Sequence, residues 1–550
     1  MIAAAGSAHA QAPEPAQVPA PAPADGSAGV TTATAAPDAP AVIDDLTLAD
    51  DLMAAVGLRP ITQRRVEALV ETGSDATHRA AVRATDKRGS LGLEVTGDAS
   101  TSDLLGTRNE AAARIEHATE RDLARLSARY GTRRTDARLQ SFATDARTVT
   151  YGGAWTAWRA AGRLDLEAYG EQQVLADAGD AGDLDLDTDA YALRAAASSR
   201  RLEVLGLGHE LAAGIGLVQA SGSAVESQLD PGSADHMELV PTRRRGRQRF
   251  LSAYIHDTIR VIESLDVHGG FVFEHWRWLT NIPPLGSHDF GADMDADTAD
   301  VLSALFGPRL GAVVRVGSGV ALEANAYRRL RPPTWQQLMR PVQNGSVLTS
   351  PGELRAETVT GGEVGPTVAI GGLDVRAAAY WHEVDAPIAA VTVDSTHRET
   401  TNLGHARETG VEASATWQLA RPWRLGASYT FAATRVTEAA SPALVGTELA
   451  ETPRHRVTAV VVYDEPRIVT VSGAVRYVSA RFIDATNTLR AAPYAVVDAM
   501  ASRKLTHGLA GYIAVENVLD RQYAAHQGGV DTLGAPRMVH VGLRLDSARW

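Results

Sequence analysis

The sequence predicts an all-β chain, a transmembrane antiparallel β-barrel of about 22 strands behind a short disordered N-terminal arm. Three observations predict it. Apolar and polar residues alternate with period two in runs of about ten residues from position 62 onward, the length a tilted strand needs to cross a bilayer. Strands of soluble proteins are usually nearer five or six residues. The connections between runs are alternately short and long, as expected when tight turns lie on one side of a membrane and long loops on the other. Aromatic residues such as Trp155, Trp158, Trp417, Trp423, Tyr463 and Tyr477 fall on these runs, many near the ends, where interfacial girdles place amphipathic rings.

Composition agrees. The chain has 550 residues, 45% of them apolar, and no cysteine, which excludes disulfide scaffolds, thiolate metal sites and cysteine nucleophiles. Fifty-three basic against 66 acidic residues give a net charge of -13, which argues against a nucleic-acid binder. No run of 18 uncharged apolar residues occurs, as a membrane-spanning helix would require. Strands that alternate need no such run.

In chain order, residues 1–12 read as the remainder of a signal peptide whose start is truncated, since Ala8-His9-Ala10 before Gln11 has the small-x-small form of a cleavage site. Residues 13–61 read as a disordered arm, because Ala, Pro, Gly and Thr offer too little apolar surface to offset ordering entropy. Within it, 43–58 has helical spacing of Leu46, Leu48, Leu52, Met53 and Val56, with Thr47 as cap and Gly57 as stop. The barrel occupies 62–550. Its clearest strand carries Val469, Val471, Val475 and Tyr477 on one face and Thr470, Ser472, Ala474 and Arg476 on the other. Short turns include 464–467, 420–422 and 371–372. Long loops are expected at 220–248, 279–308, 329–353 and 519–536, and the first three are expected on the cell surface. Counted back from 537–545 to 62–71, the runs number 22, an even count that returns both ends to the periplasmic side.

Two segments carry the resemblance to a known family. Val515-Glu-Asn517-Val-Leu-Asp520-Arg-Gln-Tyr523, then Gly534-Ala-Pro536-Arg537, a last strand and Trp550 form one. Tyr327-Arg-Arg-Leu-Arg331-Pro-Pro333-Thr334, then Leu354, Glu357-Thr358 and Gly362-Glu363-Val-Gly365 form the other, with Asn402, Gly404, Ala406 and Gly410-Val-Glu412 following. The chain resembles the TonB-dependent receptors of Gram-negative outer membranes over roughly 62–550. That resemblance implies uptake of a scarce ligand such as an iron-siderophore or a cobalamin, powered by the inner-membrane TonB complex. It also implies insertion by the barrel-assembly machinery, which reads the terminal aromatic. Such barrels hold a plug in the lumen. The segment before Arg64 is short for one, so 46–58 is read as a plug remnant and Val30-Thr-Thr-Ala-Thr34 as the nearest thing to a coupling box. A passive plugless channel or degenerate remnant, and a surface adhesin, stand as alternatives.

Residues expected to hold a small-molecule ligand such as a metal chelate, in lumen or loop, are Arg243, Arg244, Arg245, Tyr327, Arg331, Trp335, Arg376 and Arg476. Polar strand residues, Asp374 and Glu412 among them, should line the wet interior. The basic run Arg243, Arg244, Arg245, Arg247 and Arg249 is suited either to an anionic ligand or to the phosphates of outer-membrane lipid and lipopolysaccharide. An acidic loop at 174–189 offers Asp183, Asp185, Asp187 and Asp189 to calcium, or stays solvated. No enzyme is expected: His209-Glu210 opens a zincin-like motif, but Ala213 stands where the second histidine belongs.

Overall fold

The computed structural model describes residue 61 and residues 63–135, 142–179, 182–229, 239–281, 299–339, 342–343, 346–349, 354–392, 397–465, 467–525 and 533–547. The expected signal-peptide remnant, nearly all of the arm with its helix, and Trp550 lie outside these. The strands are β1 Arg65–Gly73, β2 His78–Arg88, β3 Leu91–Ser102, β4 Gly106–Ala118, β5 Asp122–Thr135, β6 Phe142–Arg159, β7 Gly162–Gly179, β8 Gly182–Ser199, the three-residue β9 Leu202–Val204, β10 Leu207–Leu229, β11 Leu239–Ile262, β12 Leu265–Asn281, β13 Ala299–Arg315 and β14 Val320–Arg331. There follow the short β15 Val342–Gln343 and β16 Ser346–Thr349, then β17 Glu357–Ile370, β18 Leu373–Asp385, the short β19 Ile388–Thr392 and β20 His397–Asn402, β21 His405–Ala420, β22 Trp423–Glu438, β23 His455–Glu465, β24 Val469–Val478, the short β25 Arg481–Phe482 and β26 Arg490–Ala491, β27 Tyr494–Thr506, β28 Leu509–Glu516 and β29 Met538–Asp546.

Twenty-two of these strands run antiparallel, each beside its neighbour, and β1 pairs with β29 from Glu67↔Asp546 to Gly73↔His540. The sheet is thereby closed and leaves no edge to aggregate. The expected count and order hold. The lengths do not. β10 has 23 residues and β11 has 24, about twice what a bilayer requires. They form a ribbon paired as far as Leu229↔Leu239, so most of the expected loop 220–248 is strand. The expected loop 279–308 shrinks in the same way, because β12 reaches Asn281 and β13 starts at Ala299. The acidic segment 174–189 is also not a loop. β7 and β8 pair through it to Gly179↔Gly182.

The two faces of each strand follow the alternation. On β3, Leu91, Leu93 and Val95 are exposed, while Glu94 (0% exposed), Thr96 and Asp98 are buried. The exposed face is an apolar band that meets lipid; the other lines the lumen. β24 obeys the same rule: Val471 (42% exposed), Val475 and Tyr477 face outward, and Arg476 faces inward to Asp498 at 3.2 Å. Large inward side chains lie across glycines of the next strand. A Cβ on Gly214 would come within 2.6 Å of the Tyr254 ring, so glycine is required there for the strands to stay paired beneath an aromatic.

Candidate ligand-binding lumen and roof

On the long-loop side, the connection from β14 to β17 turns into the barrel. Thr334 and Gln337 cap a helical turn reciprocally: the Thr334 N–H donates to Gln337 Oε1 (2.8 Å) and the Gln337 N–H to Thr334 Oγ1 (3.2 Å). The turn, α1 Trp335–Met339, delivers Trp335 (4% exposed) edge-on to Trp278, with ring centroids 5.7 Å apart. Gly222 makes the room, since a Cβ there would sit 2.9 Å from the indole. Leu338, Met339, Leu354 and Ala356 join Leu186, Ala190, Ala224 and Trp276 in one apolar cluster. The segment 329–353, expected as a free surface loop, is therefore in part pinned to the inner wall by burial of large apolar side chains.

The same connection is tied to that between β18 and β21. β16 pairs in parallel with β20, and β15 and β19 complete a four-stranded sheet. Asn402 braces the joint: its Nδ2 donates to the carbonyls of Arg355 (3.0 Å) and Ala386 (2.8 Å), and its Oδ1 accepts the Arg355 N–H (2.9 Å). Glu357 binds the Arg331 guanidinium and accepts the Ile388 N–H at 2.6 Å. Further round, Leu403, Val436, Leu444 and Ala485 bring three connections into a second cluster. Asp484 organises the loop between β24 and β27. Burial alone would raise its carboxyl, but bonds from Thr486 Oγ1, the Thr488 and Leu489 N–H groups and Thr488 Oγ1 hold it down at about 2.

The closing motif is a clamp in the last long connection. Asn517 donates to the carbonyls of Arg521 and Ala535, both at 3.0 Å, and Asp520 accepts the Arg537 N–H at 2.8 Å. Tyr523 stacks on Tyr494 with centroids 4.4 Å apart.

Below this roof the lumen wall has two kinds of sector. From β1 to β5, with β29, it is a dense ion-pair network: Arg79–Asp98 (2.8 Å), Arg114–Glu94 (2.7 Å), Arg83–Glu67 (3.3 Å), Arg125–Glu116 (3.1 Å) and Arg65–Asp546 (2.9 Å). These charges satisfy one another. The wall from β12 to β21 differs. The Tyr327 hydroxyl meets His382 Nε2 at 2.9 Å, and His382 Nδ1 lies 3.5 Å from Glu408, which also accepts the Tyr380 hydroxyl at 3.2 Å. The Arg329 guanidinium lies 5.8 Å from the centre of the Tyr327 ring. Among the described residues, no carboxylate forms an ion pair with the inward-facing Arg309, Arg329 or Arg376. This sector thus combines rings with cations that no described carboxylate holds in an ion pair.

The expected ligand residues are dispersed. Tyr327 is at the centre of the second sector, and Arg376 lines the same wall, exposed to the lumen. Arg476 and Arg331 are engaged by Asp498 and Glu357. Trp335 is buried against Trp278 and Gly222 in the packing of the roof. Arg244 is buried facing inward and Arg245 is exposed facing outward, because neighbours on a strand point to opposite sides. Arg243 pairs with Val225, and its side chain lies outside the described residues, as does that of Asp183. Asp185, Asp187 and Asp189 point outward from β8 at every second position, a ladder in place of the convergent loop expected for calcium. No group of three or more acidic or histidine side chains that could hold a metal occurs among the described residues. The sequence reading missed His382, Tyr380, Glu408 and Arg329. The alternation of β18 marked the face of Tyr380 and His382, but the meeting of all four depends on register.

A closed 22-strand barrel with short turns at one end, a loop roof at the other and a polar lumen is an outer-membrane receptor barrel. The family model described as TonB dependent receptor-like, beta-barrel matches residues 21–518, and the chain belongs to that family. Among solved structures it is similar to the ferric-catecholate import receptor Fiu of E. coli K12 in its closed form, with a TM-score of 0.72 at 14% identity over 89% of this chain and 82% of that one. It is similar to the unliganded ferric citrate transporter FecA, with a TM-score of 0.72 at 15% identity over 89% and 79%. The ferric yersiniabactin uptake receptor FyuA of Yersinia pestis matches with a TM-score of 0.71 at 16% identity over 89% and 81%.

Proposed function

We propose that the chain takes up a scarce small-molecule ligand across the outer membrane, in the class of iron-siderophores or cobalamins, with energy from the TonB complex. The wall sector around Tyr327 and Arg329 carries this reading. Rings and guanidinium groups that no carboxylate holds in an ion pair suit an anionic metal chelate, by stacking and charge-assisted hydrogen bonds. Three structural relatives named for ferric chelates favour iron within that class.

The test is uptake of radiolabelled ferric chelates by cells that lack their own receptors and carry this chain. Saturable uptake abolished by an uncoupler, and weakened by Arg329→Ala, is expected. Entry that neither saturates nor responds to the uncoupler identifies a passive channel. Binding without internalisation identifies an adhesin. Either result overturns the proposal.

A further inference from the structure

The wall sector around Tyr327 holds two donor atoms in an arrangement more specific than a cationic, aromatic surface requires. Tyr327 on β14 and His382 on β18 stand in one row of the register, on either side of Gly361 of β17. The Tyr327 hydroxyl lies 2.9 Å from His382 Nε2. A Cβ on Gly361 would sit 2.3 Å from the imidazole, so only glycine lets the two rings meet across that strand. The other ring nitrogen, Nδ1, lies 3.5 Å from Glu408 on β21. Tyr380 donates its hydroxyl to the same carboxylate at 3.2 Å and stacks on the imidazole, with centroids 4.9 Å apart.

An ionised carboxylate only accepts hydrogen bonds. Glu408 therefore holds the imidazole proton on Nδ1 and leaves the Nε2 lone pair facing the phenol. A carboxylate orients a metal-binding histidine in the same way. Donors on adjacent corners of an octahedral ion with bonds of about 2.1 Å stand about 3 Å apart. The Tyr327 and His382 donors, 2.9 Å apart, match that edge, and a small turn of the phenol brings both to one ion. Phenolate is a hard oxygen donor that suits ferric iron, and imidazole suits iron as well. Two donors are too few to hold a bare ion against water, and no group of three acidic or histidine side chains forms a cage among the described residues. The cargo must bring the remaining donors. Arg309, in register with Tyr327, and Arg329, 5.8 Å from its ring centre, supply charge for an anionic chelator.

Given uptake of a ferric chelate as proposed above, we infer that Tyr327 and His382 bind the iron of the cargo directly, as its last two ligands. The substrate class is then a ferric chelate with two adjacent coordination positions open to water. On binding, two iron–water bonds break, and bonds from iron to Tyr327 Oη and His382 Nε2 form. The two waters and the phenol proton pass to solvent, and the iron stays ferric. Glu408 touches the imidazole and not the iron, so it is a positioning residue.

The test uses the purified full chain and ferric nitrilotriacetate, whose chelator leaves two adjacent positions to water. Resonance Raman spectra should show the ring modes of an iron-bound tyrosinate, and equilibrium dialysis reads retention of the chelate. Tyr327→Phe should lose the modes and weaken retention by about tenfold or more, and Glu408→Gln should weaken retention by about 10–100-fold while keeping the modes at saturation. Ferric desferrioxamine, whose chelator fills every position, should give no tyrosinate modes with the wild type. Modes that persist in Tyr327→Phe overturn the inference. So do tyrosinate modes from ferric desferrioxamine on the wild type, an arm that decides even if the variants fail to fold. Wild type that retains ferric nitrilotriacetate without tyrosinate modes overturns direct coordination and leaves uptake standing. Wild type that retains no ferric chelate of either kind overturns both.

Discussion

Replacing Trp335 with alanine should release the inward-folded loop while leaving the barrel intact. The indole is 4% exposed, fills the space left by Gly222 and meets Trp278 edge-on. Truncating a buried tryptophan costs about 3–5 kcal/mol. That cost falls on the local opening of this loop, because the ladder from β1 to β29 does not run through it. At about 1.4 kcal/mol per factor of ten, opening becomes roughly a hundredfold to a few thousandfold more frequent. The chain has no native cysteine, so one thiol reports the change. Ala356 belongs to the same cluster and is 6% exposed, and Ala356→Cys adds little volume. Its reaction with a soluble maleimide should be slow in the parent and faster by the stated factor with Trp335→Ala, with heat-modifiable migration of the barrel unchanged. An unchanged labelling rate would refute the argument that the indole pins the loop.

Three other outcomes are expected. Val475→Arg should cost about 2–4 kcal/mol in urea unfolding from liposomes, whereas Val471→Arg should cost only about 0–1, because Val471 sits in register with Tyr463 beside Trp423, at the aromatic girdle near the short turns. Equal costs would contradict that depth assignment. The loop held by Asp484 should resist protease at neutral pH and loosen in acid. A carboxyl held at about 2, below its ordinary value of 3.8, contributes stability above pH ~4 that is lost as pH falls through ~2, and Asp484→Asn should be loose throughout. An impermeant maleimide on intact cells should label a cysteine at Val445, in the connection between β22 and β23, but not one at Leu205 (99% exposed) in a short turn; the reverse pattern would invert the topology.

The two kinds of lumen wall assign different tasks. The paired charges of β1 to β5 neutralise each other and give that sector rigidity, because removing one partner strands the other charge in a crowded wall. The sector around Tyr327 keeps ring faces and cations available. Substitutions in the first sector should show as lost folding, and in the second as altered ligand handling with the barrel intact.

Strand identity was legible because it is local. Val469 to Tyr477 alternate, the turn before Val469 is short, and a closed barrel demands an even, returning count. The sequence alone therefore determined the barrel, its 22 strands and the side on which the long connections lie. It could not show where strands end beyond the membrane. On β10 and β11 the contrast between faces fails there, with serines outward and small Gly222 and Ala224 inward on β10, and Arg245 outward and Arg244 inward on β11, so the pattern that marks period two disappears while backbone pairing continues. Nor could it show that a capped turn at Thr334 would carry Trp335 inward, because the notch that receives the indole is Gly222, more than a hundred residues earlier. Tyr327, His382 and Glu408 meet through the register of β14, β17, β18 and β21. A slip of one residue would turn each to the opposite face. Period and turn chemistry belong to neighbours in the chain, whereas register and burial belong to the closed sheet, so only the tertiary structure decided which side chains share the lumen wall.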